Sequence, residues 1–201
     1  AATLPAQTSL RTLLGDEDRT KLEAALTKLG LPVAAFDRFE PWFAALVLGT
    51  IPVLRAGYTP DLGVEHALSG KAAAGVQRDA LETVDGQLAI FDELPQETQV
   101  RYLRSVIDYM DKTLPMMNDM VAAWGKGDAE RLAAMINAAM DEPAIAERLL
   151  FARNRSWAEW IARRLDTPGT VFVAVGAGHL AGANSVQDYL AKGGRQVTRV
   201  Q

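Results

Sequence analysis

Apolar residues over the first two thirds of the chain recur at intervals of three and four, the spacing of one face of an α-helix. Thr8 or Ser9 caps a short predicted helix through Leu14. Asp16 opens a second in which Leu22, Ala25, Leu26 and Leu29 share a face before Gly30 stops it. Pro41 suits the first turn of a helix from Trp42 to about Arg55, bent near Gly49 and Pro52, and Asp61 caps another carrying Val64, Ala67 and Leu68. Val84 to Phe91 reads as one more. From Pro95 to Trp124 a stripe of Val100, Leu103, Val106, Ile107, Met110, Leu114 and Met117 predicts a long amphipathic helix kinked at Pro115. Asp128 caps Ala129 to Met140, and Pro143 opens a helix through Leu165.

The period changes after the turn Thr167-Pro168-Gly169. Thr170 to Val175 is a continuous β-branched and aromatic run, the pattern of a strand buried on both faces. Gln196 to Val200 predicts a second strand, with a Ser185–Lys192 helix and Gly193-Gly194 between them, and Gly75 to Leu81 predicts a third. The expectation is a single α/β domain over 1–201, helical over 1–74 and 84–167. A small, mainly parallel sheet is expected from strands near 75–81, 170–175 and 196–200, ending in a right-handed βαβ-like unit.

Composition narrows the function classes. In 201 residues, 49% hydrophobic content supports a core, and 21 basic against 25 acidic residues (net charge −4) form no basic stripe, which argues against nucleic acid. There is no cysteine, so thiolate metal sites and a cysteine nucleophile are excluded. The most apolar stretch, Ala44 to Leu54, is too short for a membrane span and is interrupted by Gly49 and Pro52.

Chemistry concentrates at Gly176-Ala177-Gly178-His179. This turn delivers an imidazole at the end of a predicted central strand, and Gly176 and Gly178 let the backbone approach a ligand. His179 either binds a metal or moves a proton, or it hydrogen-bonds backbone to hold the turn. The spacing is not a dinucleotide fingerprint, so no nucleotide cofactor is expected. Glu82 ends another predicted strand and either pairs with His179 as ligand or acid/base group or caps the Val84 helix; Asp85 and Gln87 share that ambiguity. His66 has no ligand partner at helical spacing and reads as a surface or capping residue. On the last long helix Arg153-Asn154-Arg155 with Trp157 and Trp160 offers a clamp for a carboxylate or phosphate, or a buried ion pair.

Leu81-Glu82-Thr83-Val84-Asp85-Gly86-Gln87-Leu88, then Trp124 with Gly127-Asp128, then Arg153 to Ala158, then Pro168 through Leu180, together resemble the TraB/PrgY/GumN family. The likeness extends from Pro41-Trp42 and Leu62-Gly63-Val64 to Gly193–Val200. It implies a divergent α/β fold related to the Tiki proteases and to erythromycin-esterase and ChaN-like proteins. Divalent-metal peptidase activity has been proposed for that group, built on two histidine motifs and acidic residues.

By position, the resemblance makes Gly176–His179 the second histidine motif, Glu82 and His179 the metal-ligand or catalytic pair (Mn, Co or Zn), and Arg153 and Asn154 catalytic residues that orient substrate. The first histidine motif belongs to an N-terminal strand not found in the chain. Leu48-Gly49-Thr50-Ile51-Pro52 matches it only by coincidence, because it follows the helical Pro41-Trp42. The expectation is a member lacking its first strands, with activity in doubt and exposed sheet edges able to recruit a second copy. Two functions stand open: a metal-dependent hydrolase of peptides, or a non-catalytic protein capturing a peptide or small ligand, as in the peptide-pheromone shutdown role of one branch. The resemblance also implies a periplasmic or cell-envelope location.

Overall fold

Short-range apolar periodicity does become helix. The computed structural model describes residues 2–138 and 143–200. In chain order the helices are α1 (Leu10–Leu13), α2 (Asp16–Lys28), α3 (Pro41–Arg55), α4 (Val64–Lys71), α5 (Val84–Asp92), α6 (Gln96–Tyr109), α7 (Thr113–Gly125), α8 (Ala129–Ala138), α9 (Pro143–Ala146), α10 (Ala152–Leu165) and α11 (Val186–Lys192). The last two residues of the helix expected to reach Met140 lie outside the described residues. None of these helices is long and apolar enough to cross a membrane.

The predicted α/β fold is overturned. Among the described residues there is no strand and no sheet, only an isolated antiparallel bridge between Thr3 and Phe39. Residues 170–176 and 195–200 form no regular element and join no ladder, and 75–80 is an exposed loop to which Arg78 Nη2 adds a bond to Ser69 O at 2.8 Å. The parallel sheet and its βαβ ending are therefore absent there. A β-branched run sets an extended backbone locally, but a strand exists only when a second segment pairs with it, and that pairing is not encoded in period.

The long helix expected over 95–124 breaks at Met110–Lys112, a 3₁₀ turn, rather than at Pro115 itself. Pro115 has no N–H to donate, and its ring crowds the carbonyl four residues back, that of Asp111, so the disturbance falls one turn upstream.

The chain divides into two compact units, Ala1–His66 with Glu82–Met117, and Ala67–Leu81 with Asn118–Gln201. In the first, α3 packs on α6 around Leu10, Leu22, Leu26, Ala44, Ala45, Leu48 and Leu103, all buried. A Cβ at Gly49 would meet Val106 at an ordinary 3.6 Å. Gln99, buried, donates to the Leu94 carbonyl at 3.0 Å and to Glu40 at 3.1 Å, and Trp42 Nε1 donates to Asp92 at 3.2 Å while its ring stacks on Phe91. Arg11 forks onto Asp37 with two bonds of 2.7 Å, which holds the Asp37 carboxyl below its usual range.

In the second unit α10 packs against α11, and α8 against the turn Ala177–His179. Trp157, Ala158 and Val186 form the centre of a small core joined by Leu81, Ile161, Val175, Tyr189 and Leu190. A π-helical turn, Glu147–Phe151, leads into α10. Such a turn admits an extra residue and rotates the face that the following helix presents.

Candidate functional site

Residues 153, 154 and 157 fall on neighbouring positions of α10, so an i, i+3/i+4 cluster presents Arg153, Asn154 and Trp157 together. Against it comes the turn that follows Val175. His179 N–H donates to Gly176 O and Leu180 N–H to Ala177 O, both at 3.0 Å, which closes a single 3₁₀ turn and carries the imidazole inward. His179 is 9% exposed and Asn154 2%.

His179 Nδ1 lies 2.6 Å from Asn154 Oδ1. The role of each atom follows from the other end of the amide. Asn154 Nδ2 donates to the backbone carbonyl of Asn184 at 2.8 Å, so the amide is turned with its oxygen toward the ring. An amide oxygen only accepts; Nδ1 must therefore carry the proton, and in the neutral imidazole Nε2 carries the lone pair. The ring also packs on Trp157, centroids 4.5 Å apart and tilted by 45°. The Arg153 guanidinium lies 4.8 Å from the centroid of the same Trp157 ring, and its Nη1 donates to Leu149 O at 2.9 Å.

The two glycines of the motif do different things. A Cβ at Gly178 would lie 2.8 Å from Ile136 Cδ1, so the buried turn passes α8 at a distance only glycine permits. Gly176 is exposed, has φ −59°, and a Cβ there would meet His179 Cδ2 at an ordinary 3.8 Å.

The sequence reading passed over Asn184, Ser185 and Asp188. Asn184 has a left-handed φ of 61°, which aims its carbonyl at Asn154, and its N–H donates to Asp188 Oδ2 at 2.8 Å. Ser185 Oγ accepts from Asp188 N–H and caps α11. The Lys192 ammonium, and after it the Asn184 N–H, hold the Asp188 carboxyl below its usual range. The signal was present as Ser185-x-x-Asp188, a helix-start pattern, behind an asparagine, a residue type that tolerates the left-handed region.

Arg153, Asn154 and His179 are thus brought together in the second unit. Glu82 belongs to the first, where it precedes the Thr83 cap of α5 and accepts from Gln87 Nε2 at 3.2 Å. His66 is exposed on α4. Among the described residues no group of three or more His, Asp or Glu side chains could hold a metal ion. His179 supplies one nitrogen, which alone does not make a metal centre.

No curated protein and no solved structure matches the chain. The TraB/PrgY/gumN family model matches residues 1–199, essentially the whole sequence, and the chain belongs to that family.

Proposed function

We propose that this chain is a hydrolase of peptide-like amide bonds in which His179 is the proton-transfer group and Asn154 fixes its tautomer. One observation carries the reading: a buried Asn154 Oδ1 accepts from His179 Nδ1 while Asn184 locks the amide. An imidazole so held works through Nε2, the nitrogen that takes a proton from an attacking water and returns it to a leaving amine. The bond to Asn154 does for the ring what a third group does in other nucleophile–base pairs, setting orientation and which nitrogen is basic. In this reading the acid–base role rests on the imidazole itself.

The Arg153–Trp157 stack supports a second reading, non-catalytic capture of a peptide or small ligand, in which the guanidinium engages a carboxylate and the indole an apolar side chain.

The test uses a pool of internally quenched fluorogenic peptides, with and without Mn²⁺, Co²⁺ or Zn²⁺, on the chain and on His179→Ala. Cleavage that His179→Ala abolishes, with a rate falling as pH drops through the imidazole range, is the expected result. Cleavage unaffected by His179→Ala overturns the assignment of the proton-transfer group. Absence of cleavage together with saturable peptide binding by fluorescence anisotropy replaces the hydrolase reading with the capture reading.

A further inference from the structure

Among the described residues of the second unit, Asn184 is the one non-glycine residue with a positive φ, 61°. A backbone held there persists only where its surroundings over-determine it. Its carbonyl is the acceptor that orients the Asn154 amide, so whatever holds Asn184 also decides which end of that amide faces His179. Asp188 supplies the hold. Ser185 is the N-cap of α11 and Asp188 its third residue, and the Ser185 hydroxyl accepts from the Asp188 N–H at 3.2 Å. In a capping box an acid at that third position returns the bond to the N–H of the cap itself. Here Asp188 Oδ2 reaches one residue further back and accepts from the Asn184 N–H at 2.8 Å, while the Ser185 N–H goes to the Gly182 carbonyl at 3.4 Å. The Asn184 N–H is not among the orphan donors of the helix, so this bond caps nothing; it fixes the residue outside. Lys192, one turn on, donates to the same Oδ2 at 2.7 Å and keeps an anion there.

We propose that Asp188 is a positioning residue for His179: by anchoring the left-handed Asn184 it sets, through that carbonyl and the Asn154 amide, the proton on Nδ1 and the basic lone pair on Nε2. This rests on the acid–base reading of His179 above and adds the group that enforces it. The bonds from Asp188 to Asn184, from Asn184 to Asn154 and from Asn154 to His179 measure 2.8, 2.8 and 2.6 Å, an unbroken series from a charged side chain to the buried ring. Without the carboxylate, Asn184 relaxes out of the left-handed region and its carbonyl swings away. The Asn154 amide then presents either end to the imidazole. An unconstrained neutral histidine in water favours the opposite tautomer, with the proton on Nε2, so the effect has a definite direction.

The experiment reads the tautomer rather than turnover: two-bond proton–nitrogen correlation spectra of the histidine-labelled full chain at pH about 8.5, well above the ordinary imidazole pKa of about 6.5. The chain has two histidines, so His66→Ala assigns both signals, and exposed His66 is the internal reference. The expected wild-type result is Nδ1–H at His179 and the ordinary Nε2–H pattern at His66. The Asp188 side chain is 31% exposed, so Asp188→Ala opens no core cavity. It is expected to keep its helical circular dichroism and to shift His179 to a mixture rich in Nε2–H. Asp188→Asn, which keeps an acceptor for the Asn184 N–H, and Lys192→Ala, which removes only the ion pair, retain Nδ1–H. Asn184→Gly added to Asp188→Ala brings Nδ1–H back, because glycine enters the left-handed region at no steric cost. An Nδ1–H signal that Asp188→Ala leaves unchanged overturns the role of Asp188 and leaves the reading of His179 standing; Nε2–H in the wild type overturns both. Should Asp188→Ala lose its helical signal, Asp188→Asn and the double variant decide: Nδ1–H in both sustains the proposal, and its loss in either overturns it.

Discussion

Replacing Asn154 by alanine is the sharpest test of the site, because the side chain is 2% exposed and serves two buried groups at once. Its loss leaves the His179 Nδ1–H and the Asn184 carbonyl without the amide that now satisfies them, at 2.6 and 2.8 Å. A buried polar group stripped of its partner costs about 1–3 kcal/mol, so the pair sums to about 2–4 kcal/mol once partial relaxation is allowed. At a urea slope of about 2 kcal/mol per molar the unfolding midpoint falls by about 1–2 M. Asn154→Asp separates orientation from stability. It keeps an acceptor at Nδ1 but places a carboxylate there, which favours the imidazolium and raises the His179 pKa. A raised folded-state pKa adds stability that is full below the unfolded value of about 6.5 and is lost as pH rises through the folded value. Asn154→Asp is therefore more stable relative to wild type at pH 5.5 than at pH 8.5. Urea unfolding followed at 222 nm at both pH values measures all of this. A midpoint for Asn154→Ala within about 0.25 M of wild type, or no pH dependence in the aspartate variant, refutes the tautomer argument.

Two other substitutions follow from the packing. Gly178→Ala drives a methyl group to 2.8 Å from Ile136 Cδ1 and costs about 1–3 kcal/mol, while Gly176→Ala is near neutral; Ile136→Val, which removes that Cδ1, restores part of the loss in the double variant, read as urea midpoints. In the first unit Arg11 holds the Asp37 carboxyl low, so the pair's contribution is present above the unfolded aspartate pKa near 3.9 and is lost as pH falls through the folded value. Asp37→Asn is accordingly less stable than wild type at pH 7, and the two converge at pH 3; a gap that is the same at both values contradicts the assignment.

Helices were legible because their signal is local. The stripe through Leu22, Ala25, Leu26 and Leu29 needs no knowledge of a partner, and its residues are buried in a helix that packs against α6. The sheet failed because its evidence was half of a pair: Thr170–Val175 has the residues of a strand, yet among the described residues no second segment is bonded to its backbone. The same distinction runs through the site. Asn154 and His179 were both legible as chemically loaded residues, one on a helix and one after a glycine, but their 25-residue separation hid that one sets the proton of the other. What closes that gap is Asn184, whose left-handed backbone turns a carbonyl back onto the amide. Without that carbonyl the Asn154 side chain could present either its oxygen or its nitrogen to the ring, and His179 would have no fixed basic nitrogen. The geometry of the pair thus depends on a residue that contributes only a φ angle and a carbonyl.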